Sequence, residues 1–381
     1  MIGVIADDLT GAAELGGIGL SKGLSVEIAF TVNPSSHADL LVIATDTRSK
    51  SQAEAVTDMI EITQQIVALK PKLIFKKVDS VLRGYVVPEI TAQLKVLGFE
   101  SALLVPANPV FGRTIENGSY LINDIPIAQT SFAADPEFPA KSSDILDLLK
   151  VSDEHVQVKK YGEAPLEKGI TIAEVKYDAD LKNWAGFYKD NVLLAGGSGF
   201  FRAVLNNAVS NSSARYKDNS SLSGTMLYVC GSAYYNSIKL VSNIAAKGGP
   251  VSYMPQAVCD APGSEEELEK WCEEVLKLIA EKKKVIVAVN SDSTNKLSPL
   301  QLRIITALLV KKVFDRVSIA ELIIEGGATA SSILRTLGIE TLYPVNEYAT
   351  GVIRSKVIAS GKLYVTLKPG SYTWPNQVWQ F

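Results

Sequence analysis

The chain has 381 residues, of which 47% are hydrophobic and 21% are charged, and its formal net charge is −3. This composition is that of a globular protein, and its length allows two domains of ordinary size. The small negative charge gives no electrostatic reason to expect nucleic acid or an anionic membrane as a partner, and no apolar run approaches the roughly 20 residues that cross a bilayer.

The first half of the chain alternates short β-rich runs with segments of helical periodicity. Helices are predicted over Ser51–Leu69 and Val86–Leu97, and the β-rich runs are IGVIA, VEIAF, LLVIAT, KLIFKK, SALLVPA and NVLLAGG. Such alternation indicates βαβ units in a doubly wound parallel sheet. Residues Phe111–Lys150 break the rhythm with Gly, Asn and Pro, and this stretch is predicted to be a long irregular excursion.

A polar stretch rich in serine, Ser210–Gly224, is predicted to be an interdomain linker. After it the alternation restarts with TMLYVCGS, VSYMP, KVIVAVNSD, AELIIEGGATA and LYVTLKPG. The sequence therefore predicts an α/β fold with two α/β domains and mainly parallel sheets. The predicted domains are residues 1–215 and residues 216–381.

Histidine and cysteine are too scarce for several common mechanisms. The chain has two histidines and three cysteines, and the cysteines show no C-x-x-C spacing. They are predicted to be buried thiols in a reducing compartment, and no secretion signal precedes the first strand, so we expect a cytoplasmic protein. Chemistry in this chain must then use carboxylates, Lys, Arg, hydroxyls and backbone N–H groups.

Charged side chains follow the predicted strands of the first domain. They include Asp7, Asp8, Arg48, Lys76, Asp79 and Arg83. Ligands bind outside the carboxyl ends of strands in open parallel sheets, so these groups are expected at one edge. Arg48 and Arg83 suit a substrate carboxylate, and Asp7 or Asp8 suits a general base. Helix capping is the structural alternative, and it explains one aspartate better than two.

Glycines occupy the corresponding places in the second domain. Backbone N–H groups at such turns bind phosphate without positive side chains. The G-x-x-x-x-G-K-[ST] signature is absent, and Arg202 stands where GGSGFFR would need the third glycine of a dinucleotide loop. A nicotinamide-dependent dehydrogenase is therefore disfavoured.

The motifs ADDLTGAAE, DTR, KKVDSVLRG and PANPVFGRT stand in the order and spacing of the four-carbon acid sugar kinases. The chain resembles this family over nearly its whole length; the family includes D-threonate, D-erythronate and 3-oxo-tetronate kinases. The resemblance implies two α/β domains with a ligand cleft between them. It also implies ATP and Mg²⁺ as cofactors, and phosphorylation of the terminal hydroxyl of a four-carbon sugar acid.

The resemblance also implies site residues. In the first domain they are the catalytic candidates Asp8 and Asp7 and the acid-binding residues Arg48, Lys76, Asp79 and Arg83. In the second domain they are the nucleotide-binding residues Gly231, Ser232, Gly326, Gly327, Gly351 and Gly370. No metal ligand is assigned, and the sequence leaves open whether the chain forms a homo-oligomer.

Departures from the family pattern keep other hypotheses open. Ala328 stands where the family usually carries Asp or Glu, Thr350 replaces a proline, and Thr373 replaces a glycine. A sensor or regulatory protein that binds an acid sugar without phosphoryl transfer is the second hypothesis, and a two-domain solute receptor is a weaker third. The retained glycines favour the kinase, and Gly351→Val is expected to block ATP binding by filling the space of a phosphate.

Overall fold

The computed structural model describes most of the chain: residues 1–135, 137–187, 189–209, 220–231, 235–289 and 297–381. Residue contacts divide the chain into two compact units, Met1–Arg215 and Tyr216–Phe381. Most of the predicted linker, residues 210–219, lies outside the described ranges. Over the described ranges, none of the helices has the length and apolar character needed to cross a membrane.

The first unit contains a parallel sheet and a small antiparallel sheet. Its strands are β1 (Ile2–Ala6), β2 (Val26–Ala29), β3 (Leu40–Ala44), β4 (Leu73–Lys77), β5 (Ser101–Val105), β6 (Arg113–Glu116), β7 (Ser119–Ile122), β8 (Ile125–Pro126), β9 (Val156–Lys159), β10 (Gly169–Ala173) and β11 (Val192–Gly196). The parallel sheet has the order β2, β3, β1, β4, β11, β5, β10, β9. Strands β6, β7 and β8 form the antiparallel sheet.

Helices cover both faces of the parallel sheet. They are α1 (Leu9–Ser21), α2 (Gln52–Ala68), α3 (Val86–Leu97), α4 (Ile145–Leu149), α5 (Asp178–Ala185) and α6 (Ser198–Ala208). On one face, Ile5 and Ile43 of the sheet pack with Met59 and Ile66 of α2. On the other, Phe75 meets the rings of α6, with its centroid 5.0 Å from that of Phe201. Helix α2 begins at a capping box between Ser51 and Glu54, which fixes the start of the predicted helix.

The prediction of an irregular excursion over Phe111–Lys150 was wrong in part, because β6–β8 and α4 lie within it. The two hairpin turns place consecutive residues in the left-handed region, with φ of 48° at Asn117 and 75° at Gly118. The second turn has φ of 48° at Asn123 and 63° at Asp124. Two-residue turns of this kind match the twist of the paired strands and select Asn, Asp and Gly.

The second unit is built on one mixed sheet. Its strands are β12 (Met226–Cys230), β13 (Val251–Tyr253), β14 (Lys284–Ala288), β15 (Glu321–Glu325), β16 (Thr341–Ala349), β17 (Val352–Val357) and β18 (Leu363–Lys368). Strands β13, β14, β12, β15 and β18 are parallel neighbours in that order, and β17 and β16 continue the sheet antiparallel to them. Its helices are α7 (Tyr235–Ala246), α8 (Gln256–Asp260), α9 (Glu265–Lys282), α10 (Pro299–Phe314) and α11 (Gly327–Thr336).

An aromatic core supports this sheet. Tyr228, Ile286 and Ile323 pack with Trp374 and Val378 from the end of the chain. The three cysteines are free and buried. The predicted α/β class with mainly parallel sheets is confirmed, since the described strands of both units are mostly parallel and alternate with helices.

Candidate functional site

The carboxyl ends of three neighbouring strands bring most of the predicted charged residues of the first unit together. The register places Ala6 at the end of β1 beside Ala44 of β3 and Lys77 of β4. The residues that follow these strands therefore meet at one edge, as the sequence suggested. Strand β11 lies between β4 and β5, so Asn108, which follows β5, is separated from the end of β4 by one strand.

Arg48 is the centre of this cluster. Its guanidinium lies 3.0 Å from Asp8, 3.2 Å from Asp79 and 3.6 Å from Asp7, measured between nitrogen and carboxylate oxygen atoms. The Arg48 side chain is 17% exposed, so the ion pairs are shielded from water and from salt screening. One cation thus holds three carboxylates that would otherwise repel one another.

Arg83 forms a second, overlapping set of contacts. Its Nε and Nη2 donate to the two oxygens of Asp79 at 2.8 and 3.0 Å, a bidentate arrangement. Its Nη1 donates to Asp135 at 3.0 Å, and its guanidinium lies 5.7 Å from the ring centre of Phe132. Asp135 was not a predicted site residue, since it lies within the stretch that the sequence marked only as irregular.

The two adjacent aspartates have different environments. Asp8 caps α1, because its Oδ1 accepts from the Gly11 N–H at 3.0 Å, and its Oδ2 accepts from Thr10 at 2.5 Å and Arg48 at 3.0 Å. Both carboxylate oxygens of Asp7 are buried and accept no hydrogen bond among the described residues. The capping alternative is therefore correct for Asp8, and the Asp7 carboxylate has no such capping role among the described residues.

The pKa values of the three aspartates follow from these contacts. Burial raises the pKa of Asp7 to about 6, although Lys77 and Arg48 oppose that rise. For Asp8, burial is outweighed by Arg48 and Lys77, which hold its pKa below the ordinary value. Arg83 likewise holds the pKa of Asp79 low against the effect of burial. Of these three aspartates, only Asp7 has a pKa raised toward neutral pH.

The two lysines at the end of β4 point to opposite faces of the sheet, as successive strand residues do. Lys76 is fully buried and its Nζ lies 2.5 Å from a carboxylate oxygen of Glu89 in α3. Lys77 lies near the cluster instead: a Cβ at Gly11 would be 2.9 Å from Lys77 Nζ and 2.6 Å from Asp8 Oδ1. The structure thus directs the predicted site residue Lys76 into an internal ion pair and places Lys77 beside Asp8.

A cavity of about 1000 Å³ opens beside the arginines, entirely within the first unit. Arg48 and Arg83 line it together with Lys50, Tyr85, Phe132 and Phe138. Its volume is at the upper end of ordinary ligand pockets, about 300–1,000 Å³. Because Arg48 both lines the cavity and contacts the aspartates, it connects the place where a ligand fits to the candidate base.

The predicted glycines of the second unit also come to one sheet edge. Gly231, Gly326 and Gly370 directly or nearly follow β12, β15 and β18, which are adjacent. Gly327 is the first residue of α11. A Cβ at Gly231 would lie 2.3 Å from Thr329 Oγ1. Ser232 lies outside the described residues.

Gly351 lies in the turn between antiparallel β16 and β17, with φ of 73°. A Cβ at this position would lie 2.6 Å from a ring carbon of Tyr372. The space beside Gly351 is therefore filled by that ring, which corrects the expectation that a larger side chain would only enter space kept for a phosphate.

Metal ligation has little support from the protein alone. Within the described ranges, no three His, Cys, Asp or Glu side chains are grouped to hold an ion, and Ala328 is the second residue of α11. Magnesium is commonly held by nucleotide phosphates and water with one or two carboxylates. Among the described residues, the protein therefore offers no ready-made cage for an ion.

Family profiles match both units. The profile described as a sugar-binding N-terminal domain matches residues 2–204, more than half of the chain, and the profile described as a nucleotide-binding C-terminal domain matches residues 227–372.

Curated relatives are acid-sugar kinases. The chain is 34% identical over 154 residues to a D-threonate kinase of Salmonella typhimurium, covering 40% of this chain and 36% of the relative. It is 35% identical over 158 residues to a D-erythronate kinase of Heliobacterium modesticaldum, again 40% and 36%. These matches therefore span little more than a third of each relative. A 3-oxo-tetronate kinase of Pectobacterium atrosepticum is 22% identical over 409 residues, which cover 97% of this chain and 96% of that protein.

Solved structures share the fold. A Haemophilus influenzae protein superposes with a TM-score of 0.73 at 20% identity, covering 99% of this chain and 98% of that one. A Salmonella typhimurium protein superposes with a TM-score of 0.79 at 19% identity, covering 98% and 96%. At such identities the likeness extends to the fold alone.

Proposed function

Since the chain belongs to the four-carbon acid sugar kinase family, we propose that it is an ATP-dependent kinase of a small sugar acid. The phosphoryl acceptor is the terminal hydroxyl of the acid. Residues 1–215 bind the acid and residues 216–381 bind the nucleotide. The names of the relatives and of the two matching domains support this division.

The observation that carries the proposal is the Asp7 carboxylate, which is buried, accepts no hydrogen bond from any residue that the structure describes, and has a pKa raised to about 6. Such a group can take the proton of a hydroxyl while the hydroxyl oxygen forms a bond to the terminal phosphorus of ATP. The bond from that phosphorus to the bridging oxygen breaks, and ADP leaves with its electron pair. Asp7 is the base in this proposal, and Asp8, the alternative, holds Arg48 and the first turn of α1.

The acid end of the substrate is assigned to Arg48 and Arg83, because both line the cavity. Asp79 and Asp135 together accept hydrogen bonds from all three nitrogens of the Arg83 guanidinium, so its orientation is fixed before a substrate carboxylate binds. Phosphoryl transfer depends mostly on positioning and charge stabilisation. The cluster supplies positioning through ion pairs that exist before the substrate arrives.

The nucleotide is assigned to the glycine turns Gly231, Gly326, Gly327, Gly351 and Gly370, together with Ser232. Their backbone N–H groups suit phosphate oxygens, and Mg²⁺ is assigned to those phosphates and water. The second candidate function, an acid-binding sensor without phosphoryl transfer, is favoured by one observation: Ala328 at the start of α11 provides no carboxylate for the ion.

Two measurements on the purified protein test the proposal. ADP release is followed with a panel of four-carbon and five-carbon sugar acids, and binding of the same acids and of ATP is measured by calorimetry. Acid-dependent ADP release that vanishes in Asp7→Asn is expected. Acid binding without ATP binding or ADP release would contradict the kinase and support the sensor.

A further inference from the structure

Lys368, the last residue of β18, has an unusual set of partners. It is fully buried, and its ammonium donates to the backbone carbonyls of Pro369 at 2.9 Å, Gly370 at 3.5 Å and Tyr372 at 2.6 Å. The carboxylate of Glu325 lies 3.3 Å away. A buried cation is thus surrounded by three carbonyls of one loop, with one carboxylate to balance its charge.

The direction of these carbonyls fixes the direction of the N–H groups in the same loop. In a trans peptide the C=O and N–H bonds point opposite ways, and the described chain has no cis peptide. Carbonyls 369, 370 and 372 face Lys368, so the N–H groups of Gly370, Ser371 and Thr373 face away from it. Ser371 and Thr373 are exposed, which leaves these donors on the surface of the loop.

A second set of backbone donors lies next to this loop. The Gly326 N–H donates to the Lys368 carbonyl at 2.9 Å, and Gly326 is the N-cap residue of the ten-residue helix α11, which has no side-chain cap. The first N–H groups of α11 have no partner within the helix, and the helix dipole is positive there. Two groups of outward donors therefore stand side by side over one buried lysine.

We propose that Lys368 is a positioning residue that shapes residues 369–373 into an anion-binding loop for a polyphosphate chain. The inference rests on the proposed function, because ATP supplies that chain in the kinase reaction. Lys368 does not contact the anion: it holds the carbonyls inward, which presents the opposite N–H groups to the phosphate oxygens. Glu325 neutralises the buried ammonium and is fixed by Trp374, whose Nε1 donates to it at 2.9 Å.

The test compares Lys368→Met with Lys362→Met, a control at an exposed lysine of the same unit. Binding of inorganic tripolyphosphate and of ATP is measured by calorimetry, and folding is followed by thermal unfolding. We expect Lys368→Met to weaken both ligands by about tenfold or more, the loss of roughly one hydrogen bond to a charged group. Lys362→Met is expected to bind both as the wild type does. Unchanged affinity in folded Lys368→Met would overturn the inference.

Removing the lysine alone leaves Glu325 buried without its partner, so a second variant is required. The double variant Glu325→Gln, Lys368→Met removes both charges and keeps an acceptor for Trp374. It is expected to fold, to bind tripolyphosphate as weakly as the single variant, and to raise the KM for ATP more than it lowers kcat. A double variant that folds and binds tripolyphosphate like the wild type would overturn the role of Lys368. A double variant that does not fold would show that the pair supports the whole unit, and would overturn a role limited to shaping the loop.

These results separate the inference from the proposed function. A wild-type protein that binds tripolyphosphate but releases no ADP with any acid would contradict the kinase and leave the loop in place. A wild-type protein that is an active kinase, with Lys368→Met binding ATP unchanged, would contradict only the role of Lys368.

Discussion

The sheet edges of the two units use opposite chemistry to prepare for a ligand. In the first unit, charged side chains fill the ends of β3, β1 and β4 and neutralise one another, with Arg48 between three aspartates. In the second unit, glycines fill the ends of β12, β15 and β18, and the charged pair Glu325–Lys368 is buried beneath them. One edge offers side chains and the other offers backbone.

This difference suits what each edge is proposed to bind. A small polyol acid must be oriented by several directional contacts and must lose a proton, which requires side chains of chosen pKa. A phosphate chain carries its own charge and is satisfied by N–H groups that can approach it closely. The first edge should therefore be sensitive to changes of charge, and the second to changes of volume.

The largest effect is expected from Asp7→Asn, which keeps the shape of the side chain and removes the proposed base. Turnover should fall by about 10²–10⁴-fold, while binding of the sugar acid measured by calorimetry changes much less. Asp153→Asn, at an exposed carboxylate of the same unit, is the matched control and should keep wild-type turnover. Near-normal turnover in Asp7→Asn, with a large loss in Asp8→Asn, would transfer the role of base to Asp8.

A comparable effect, on stability, is expected from Lys76→Met. This change leaves Glu89 buried without its cation, and breaking a buried pair in this way costs about 3–5 kcal/mol. We expect the urea midpoint of unfolding to be lower than in the wild type. The KM for the acid, measured on the protein that remains folded, should be unchanged. Lys95→Met, at an exposed lysine of α3, should change neither quantity. A raised KM with normal stability would restore Lys76 to the substrate site, where the sequence had placed it.

The arrangement of the first edge was accessible from sequence because it depends on topology. Parallel neighbouring strands end at one edge whatever their side chains, so Asp8, Arg48 and Asp79 could be grouped without coordinates. The choice between Lys76 and Lys77 was not accessible in this way. It depends on which face of β4 is covered by α3, and adjacent lysines give no hydrophobic alternation from which to decide.

Two other features were missed for different reasons. The hairpins of β6–β8 carried a signal, the Asn117-Gly118 pair, that was hidden in a stretch of many turn-forming residues. The contacts of Lys368 with the loop carried no signal, since a lysine before Pro-Gly is as consistent with an exposed side chain that binds phosphate as with a buried side chain that binds the loop. The hydrogen bonds of Lys368 to three loop carbonyls distinguish the second arrangement from the first.

The sensitivity of the second edge to volume is tested by Gly351→Ala. The positive φ alone costs about 1 kcal/mol with a Cβ present, and crowding against Tyr372 adds about 1–3 kcal/mol. Gly338→Ala is the control, because its φ is 68° and nothing lies within 4 Å of the added Cβ. Urea unfolding should show the larger loss for Gly351→Ala. Equal losses of unfolding free energy in the two variants would mean that the Tyr372 ring moves aside without destabilising the protein.

The smallest effect expected is a pH-dependent gain of stability in Asp7→Asn. The pKa of Asp7 is about 6 in the folded protein and about 3.9 in an unfolded chain. The folded state therefore binds the proton more tightly, and its stability falls as pH rises from about 4 to about 6 and then stays constant.

Asparagine carries no such charge, so the variant should be more stable than the wild type above pH 6 and equal to it near pH 4. The pKa of about 6 already includes the attraction of Asp7 to Arg48 and Lys77, so a shift of about two pKa units sets a ceiling of about 3 kcal/mol on the gain. Urea midpoints at pH 4.5 and pH 7.5 measure it. Asp153, whose pKa is lowered by its hydrogen bonds with His155, should show no gain on the same substitution. If Asp7→Asn is instead less stable than the wild type at pH 7.5, the charged carboxylate is stabilised by its neighbours in the folded protein. That result would contradict a raised pKa for Asp7.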